Sequence, residues 1–328
     1  MKKFFALISL LLILLTITNV FADGLLIANS TKTIGIAWWD RMKVGNQRFM
    51  DATGGEVYQA GPVGAADTAV QLGVIEDAIA AGVDAITVIP TSPESMEPAL
   101  KKAMDQGIVV ISHEAETMEN VNYDIEAFDN HAYGAHMMDV LAAEMGEEGG
   151  YIIMMGALTM TSHQQWAEGA IARQEEAYPN MFQVADRVES AAQGGGSEGA
   201  YLVAKEVIAK YPDIKGFIGC DMVDPPGIAR AVEEAGKAGE IAVTGTCLVS
   251  VAREFLENGT IKTIMFWDPA DAGEAMCNLA SMIINGEPVG DGVDLKVAGY
   301  ESCSLEGKVL KGAAWVDVTV ENMKDYDF

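Results

Sequence analysis

Basic residues are scarce in this chain: 21 Lys and Arg stand against 48 Asp and Glu, a formal charge of −27 over 328 residues. A field of that sign repels phosphate backbones, which excludes nucleic acid as a partner and disfavours large anionic ligands. Cysteine is sparse too. Cys220, Cys247, Cys277 and Cys303 form no C-x-x-C pair, so the common structural zinc sites are excluded. Their even number permits disulfides in an exported protein. Cys220 and Cys247, which follow neighbouring predicted strands, are the best-placed pair. The four histidines, His113, His131, His136 and His163, show no metal-binding spacing, so no metal is expected. No G-x-G-x-x-G or Walker pattern opens a helix, so no nucleotide cofactor is expected either. Linkers rich in Pro or Ser are absent, which excludes lobes joined by one loose tether.

Only one long hydrophobic run occurs, Phe4 to Val20, behind Lys2 and Lys3. Val20 and Ala22 place small residues where a signal peptidase reads them, which predicts a signal peptide over 1–22 and an exported chain. The alternative is a membrane anchor, for which roughly 20 apolar residues are needed. No Cys lies at the boundary to carry a lipid, so the expected location is the periplasm.

Beyond residue 22 one theme repeats: a short apolar strand, a turn, an amphipathic helix. The spacing predicts strands at 33–38, 56–59, 84–89 and 108–112, with helices at 42–52, 65–81 and 94–106. The rhythm restarts after Asp129. Helices are expected at 132–145, 164–178, 199–211, 227–235 and 249–258, with strands at 151–155, 182–187, 216–219, 241–244 and 262–265. Such alternation requires parallel sheets and right-handed crossovers. There are too many units for one sheet, so the expected fold is α/β with two doubly wound parallel-sheet lobes. Residues 33–128 with about 269–300 form the expected N-terminal lobe, and 129–268 with about 301–328 the C-terminal one. Short strands at 294–298 and 308–310 thread back between them.

Ligands of open parallel sheets bind beyond the carboxyl ends of the strands. Those ends supply Trp38, Trp39 and Asp40; His113, Glu114 and Glu116; Ser162, His163 and Gln164; Asp221 and Met222; and Trp267 and Asp268. Indole faces pack on the C–H face of a sugar ring, while carboxylates accept pairs of hydroxyl hydrogen bonds. Glu114 leads this set. Neighbours on a strand point oppositely, so one of Trp38 and Trp39 is expected to face the ligand. Asp221 and Asp268 have an alternative role as helix caps, and His163 as a structural hydrogen-bonding residue. Gly195 to Gly199 satisfies the G-x-S-x-G pattern of hydrolases, but no strand runs into Ser197, which reads as a helix N-cap. No catalytic residue is expected; Glu114 with Asp268 as a carboxylate pair is the remaining enzymatic alternative.

Several segments carry a resemblance by their order and spacing: DAITVIPTSP from Asp84 to Pro93, Pro98 through Gly107 to the strand ending at Ser112, Asp129-Asn130 with Gly134, Trp166 and its helix, Glu257 to Gly259, and Trp267-Asp268. They resemble the type I periplasmic solute-binding proteins of ABC importers, in particular the branch that binds rhamnose and autoinducer-2. The resemblance runs from Ile34 to Phe328. It implies two lobes joined by a three-crossover hinge and closing on a small ligand, and a monomer that hands its cargo to an inner-membrane ABC permease. The family's pocket acid falls on Glu114, where Asp is usual. Autoinducer-2 binders carry an Asp-Gln pair where Ser162-His163 stand here, and a lysine near the end of strand one where this chain offers Trp38-Trp39-Asp40. Their backbone-contributing Pro and Ala fall near Cys220 and Met222. These departures favour a monosaccharide or related polyol over autoinducer-2. A sensory receptor would use the same surface; the effector-binding half of a repressor shares the fold but would not be exported.

Overall fold

The computed structural model describes residues 24–328; the signal-peptide expectation for 1–22 lies outside them. In chain order the first group of elements is β1 (Leu26–Ser30), α1 (Ala37–Thr53), β2 (Glu56–Ala60), α2 (Thr68–Ala81), β3 (Ala85–Val88), α3 (Pro93–Asp105), β4 (Val109–His113) and β5 (Tyr123–Glu126). The second comprises α4 (Asn130–Met145), β6 (Gly149–Met155), α5 (Thr161–Ala177), β7 (Met181–Gln183), β8 (Val188–Glu189), α6 (Gly196–Lys210), β9 (Ile214–Gly219), α7 (Asp224–Glu234), β10 (Ala242–Gly245), α8 (Val249–Asn258) and β11 (Ile264–Phe266). The chain then returns through α9 (Pro269–Ile284), β12 (Ser304–Glu306), β13 (Val309–Lys311) and β14 (Val316–Val318). No helix among the described residues is long and apolar enough to cross a membrane.

Local chemistry sets many of these boundaries. The Asp67 carboxylate accepts from the backbone N–H groups of Ala69 and Val70 and so caps α2. Pro93 opens α3, where its missing N–H costs nothing. β3 is buried along its whole length, as a strand covered by helices on both faces must be. α4 and α5 pack so closely that a Cβ on Gly134 would sit 2.0 Å from the Trp166 carbonyl oxygen. Only glycine fits there.

One sheet has seven strands in the order β12-β13-β5-β4-β3-β1-β2, parallel except for the β12–β13 hairpin. The other is parallel, ordered β10-β9-β6-β7 with β8 also on β6, and β11 pairs antiparallel with β14. Three segments cross between the groups, at 127–129, 267–268 and 312–315. Phe128, Trp267 and Trp315, one from each, meet edge to face with Phe128 central, 5.3 Å from Trp267 and 5.5 Å from Trp315. The fold is thus the expected pair of doubly wound α/β lobes.

Several boundaries differ from expectation. The first strand is Leu26–Ser30, not 33–38, and Trp38, Trp39 and Asp40 open α1. The burial of Trp38, Met42, Gly45 and Phe49 has helical spacing, and that period decides the segment. β5 is not expected from sequence, because its two acids imitate a loop. The strand expected at 182–187 is two short pieces, and 294–298 is a turn with Lys296 at φ +62°. Residues 304–311 join the first sheet, so the placing of 301–328 in the C-terminal lobe is corrected for that stretch. Ser197 lies inside the first turn of α6, whose N-cap is Gly195.

Candidate ligand-binding site

A cavity of about 470 Å³ opens between the two sheets, within the range typical of small-molecule pockets. Its walls come from the carboxyl ends of strands in both groups: Lys32 and Thr33 after β1, Thr91 after β3, Glu114 after β4, Gly156 after β6, Ser190 after β8, Asp221 and Met222 after β9, Thr246 after β10 and Trp267 after β11. The parallel topology alone aims all of these at one place.

Glu114 is the electrostatic centre. It is buried and takes φ +57°, a left-handed conformation uncommon for a residue with a side chain. Burial by itself would push its carboxyl up, but the Lys32 ammonium, 2.6 Å from Oε2, together with the neighbouring His113 and His163 outweighs this and lowers it to about 2. Ser162 Oγ, from the opposite lobe, also donates to Oε2 at 3.0 Å. Glu114 is therefore ionised and gripped across the cleft.

Two buried histidines flank it without adding charge. His113 Nδ1 lies 2.5 Å from the Ile125 carbonyl, while Trp267 Nε1 donates to His113 Nε2 at 3.2 Å. These contacts fix a neutral ring with its proton on Nδ1, and burial lowers its basicity. His163 Nδ1 accepts from the Gly156 amide at 3.3 Å, leaving Nε2 to carry the proton. Burial, reinforced by the Lys32 charge, drops it to about 3. A neutral His163 at the cavity wall is a hydrogen-bond donor.

Trp38, Trp39, Trp166 and Trp267 supply the apolar walls. Trp38 and Trp267 meet edge to face at 4.7 Å, and Trp39 Nε1 donates to Thr33 Oγ1 at 2.9 Å. Both Trp38 and Trp39 border the cavity, because successive helical residues diverge far less than strand neighbours do. The Thr91 hydroxyl is buried at the wall without a protein partner. Gly194, Gly195 and Gly196 border the opening with φ values of +90°, +71° and +65°, which only glycine adopts in succession.

Of the residues singled out from sequence, Trp38, Trp39, Glu114, His163, Asp221, Met222 and Trp267 line the cavity, and Ser162 braces Glu114. Three do not reach it. Asp40 is exposed and pairs with Lys43 at 2.7 Å. Gln164 turns away to receive Arg187 and to donate to the Leu158 carbonyl. Asp268 caps α9 through the Ala270 amide and holds Arg41 in a two-bond ion pair, so it does not face Glu114 as a catalytic partner would. Glu116 is tied to Asn130 and Gln165. All four cysteines are free buried thiols; Cys220 borders the cavity, and Cys247 Sγ donates to the Met222 carbonyl at 3.2 Å. Among the described residues no His, Cys, Asp or Glu cluster could hold a metal.

Lys32 was the principal omission. With β1 placed at 26–30 it stands two residues past the strand end, where the resemblance implied a lysine that the misplaced strand had hidden. Its only signal in sequence was a lone cation beside an apolar stretch.

A bilobed α/β fold with a cavity at the strand ends, walled by indoles and a buried ion pair, defines a ligand-binding protein. The chain belongs to the periplasmic binding protein family: the family model described as periplasmic binding protein domain matches residues 27–288. That is a family of binding proteins, not enzymes. Two curated relatives are similar in sequence. The D-allose-binding periplasmic protein of Escherichia coli is 28% identical over 74% of this chain and 79% of its own length. The D-ribose/D-allose-binding protein of Pseudomonas aeruginosa is 26% identical, the match spanning 60% of this chain and 61% of that protein. Among solved structures, LsrB from Clostridium saccharobutylicum in complex with AI-2 aligns with a TM-score of 0.84 at 22% identity, covering 93% of this chain and all of that one. An L-rhamnose-bound ABC transporter solute-binding protein from Clostridium phytofermentas gives 0.83 at 18% identity, over 93% and 98%. At such identities the structures speak for the fold.

Proposed function

We propose that this is an exported, monomeric solute-binding protein that captures a monosaccharide or related polyol and delivers it to an ABC permease. The observation that carries the reading is the cavity wall itself. Four indoles line it with apolar surface for a sugar ring, while Glu114, Asp221, neutral His163 and the unpartnered Thr91 hydroxyl offer acceptors and donors to its hydroxyls. Ligand bridging both lobes would favour the closed form through the Ser162–Glu114 contact. The sugar-binding relatives support the same class.

Lys32 favours a second reading. A lysine at the end of strand one beside a pocket acid resembles the autoinducer-2 binders, although Ser162 and His163 still depart from their Asp-Gln pair. A thermal-shift screen of residues 23–328 against monosaccharides, polyols and autoinducer-2 separates the two. Ligand at about 100 times its Kd stabilises the native state by ~2.7 kcal/mol. A shift with a sugar that Glu114→Ala abolishes supports the first reading, and a shift with autoinducer-2 alone supports the second. No shift with any of them, in protein shown to be ligand-free, sinks both.

A further inference from the structure

Asp124 and Glu126 stand two residues apart on β5, so their side chains leave the strand on the same face. Each is about 1% exposed, and neither borders the cavity. Among the described residues no cation answers them. Lys311, which pairs with Glu126 across the β5–β13 ladder, sends its ammonium to Asp129 and Glu306. Lys308, level with the start of the same strand, donates to the carbonyls of Glu119 and Val121. The other titratable groups around the pair are His113 and Glu114 at the end of β4, Glu116 on the loop beyond, and Tyr300 ahead of β12. His113 is neutral, and the acids among them repel further negative charge.

The hydrogen bonds give the pair a purpose. Ser112 Oγ donates to Asp124 Oδ1 at 2.6 Å, and the Ala115 amide donates to Glu126 Oε1 at 3.0 Å. Between those two anchors lie only His113 and Glu114, the latter with its left-handed φ of +57°. The two acids thus grip both ends of the turn that presents Glu114 to Lys32. Asp124 Oδ2 is buried with no partner. A proton held between the two carboxyls would supply one and would remove the second of two uncompensated buried charges.

We propose that Asp124 and Glu126 share one proton and act as positioning residues, holding the turn 112–115 so that Glu114 meets Lys32 at the cavity. Burial agrees with this, pushing Asp124 up to about 6 and Glu126 well above the ordinary carboxylate range. The role in binding rests on the proposed function, but the test below uses no ligand, so the two can fail separately.

Carbon-detected NMR of side-chain carboxyls in glutamate-labelled protein, titrated from about pH 3.5 to 9, reads Glu126 and Glu114 directly. Glu126 is assigned by its loss in Glu126→Gln, and Glu114 by its loss in Glu114→Gln. In the wild type Glu126 should stay protonated well above the ordinary carboxylate range, while Glu114 stays ionised throughout. Glu126→Gln keeps an acceptor for Ala115 and an N–H in place of the proton, so Glu114 should remain ionised. Glu126→Leu removes both, and Glu114, drawn away from Lys32, should then titrate inside the window, its midpoint raised by at least one pH unit. A Glu126 that titrates as an ordinary carboxylate overturns the proposal, as does a Glu114 unmoved by Glu126→Leu. If the Leu variant does not fold, the wild-type titration of Glu126 alone decides. Failure of every sugar to bind would leave these results unchanged.

Discussion

Replacing Lys32 by Met should weaken the native state by an amount that depends on pH in a specific way. Lys32 and Glu114 are both buried, and their 2.6 Å contact is the main pull that lowers the Glu114 carboxyl to about 2 against an ordinary 4.5. That difference corresponds to ~3 kcal/mol of native-state stabilisation through proton linkage. The sign follows from the depressed carboxyl: the contribution is complete above about pH 4.5, where the unfolded chain also ionises, and fades as pH falls toward 2. Without Lys32 nothing holds the carboxyl low, so the contribution disappears. Urea unfolding followed by tryptophan fluorescence should therefore separate wild type from Lys32→Met by ~3 kcal/mol at neutral pH and by ~2 kcal/mol at about pH 3.5. The double variant Lys32→Met with Glu114→Gln should regain much of the loss, since an isolated buried charge is worse than none. A difference below ~1 kcal/mol, or one that stays constant with pH, would refute the argument, because that is what a solvated surface pair gives.

Gly134→Ala should lower stability by ~2 kcal/mol or more, because the new methyl meets the Trp166 carbonyl oxygen at 2.0 Å and must part α4 from α5; thermal unfolding measures it, and a neutral result would mean that the helices pack less closely. Trp267→Ala should cost ~3–5 kcal/mol by leaving a hole among three crossovers, and should free His113 Nε2 of its donor; calorimetry tests the first effect and imidazole NMR the second. His136 bonds Asp317 at 2.8 Å, which raises its basicity. The stabilisation from this contact is present below the ordinary imidazole value of 6.5 and is lost as pH rises through the raised one. Asp317→Asn should remove that pH dependence, an effect under ~1 kcal/mol at so solvated a pair; melting temperatures from about pH 5.5 to 8.5 would show it.

The elements easiest to see in sequence are those whose burial leaves a periodic mark. β3, with helices on both faces, is a largely apolar, β-branched run, and α2 and α8 carry caps or a terminal glycine that announce their ends. β5 and β1 carry no such mark. β5 holds two acids that become buried only because one meets the Ala115 amide and the other the Ser112 hydroxyl, partners more than ten residues away. The first strand lies seven residues ahead of its expected place because the apolar stretch after Lys32 matches a strand in composition, while its burial period belongs to α1. The true strand end brings Lys32 to the cavity, and the helix lets both Trp38 and Trp39 line it. Glu114 was found because its position follows from the end of β4.

The sequence by itself determined the class of fold, since alternating strand and helix periods admit only parallel sheets with the site at their carboxyl ends. It also determined which residue types that site would draw on. Which of them face the cavity was decided by tertiary structure: Asp268 is claimed by Arg41 and the Ala270 amide, Gln164 by Arg187, and Glu114 by Lys32 from one lobe and Ser162 from the other. Apart from the local Ala270 cap, each contact joins residues distant in the chain, and a side chain that can satisfy its charge or hydrogen bonds in several places takes the partner that the assembled lobes bring nearest.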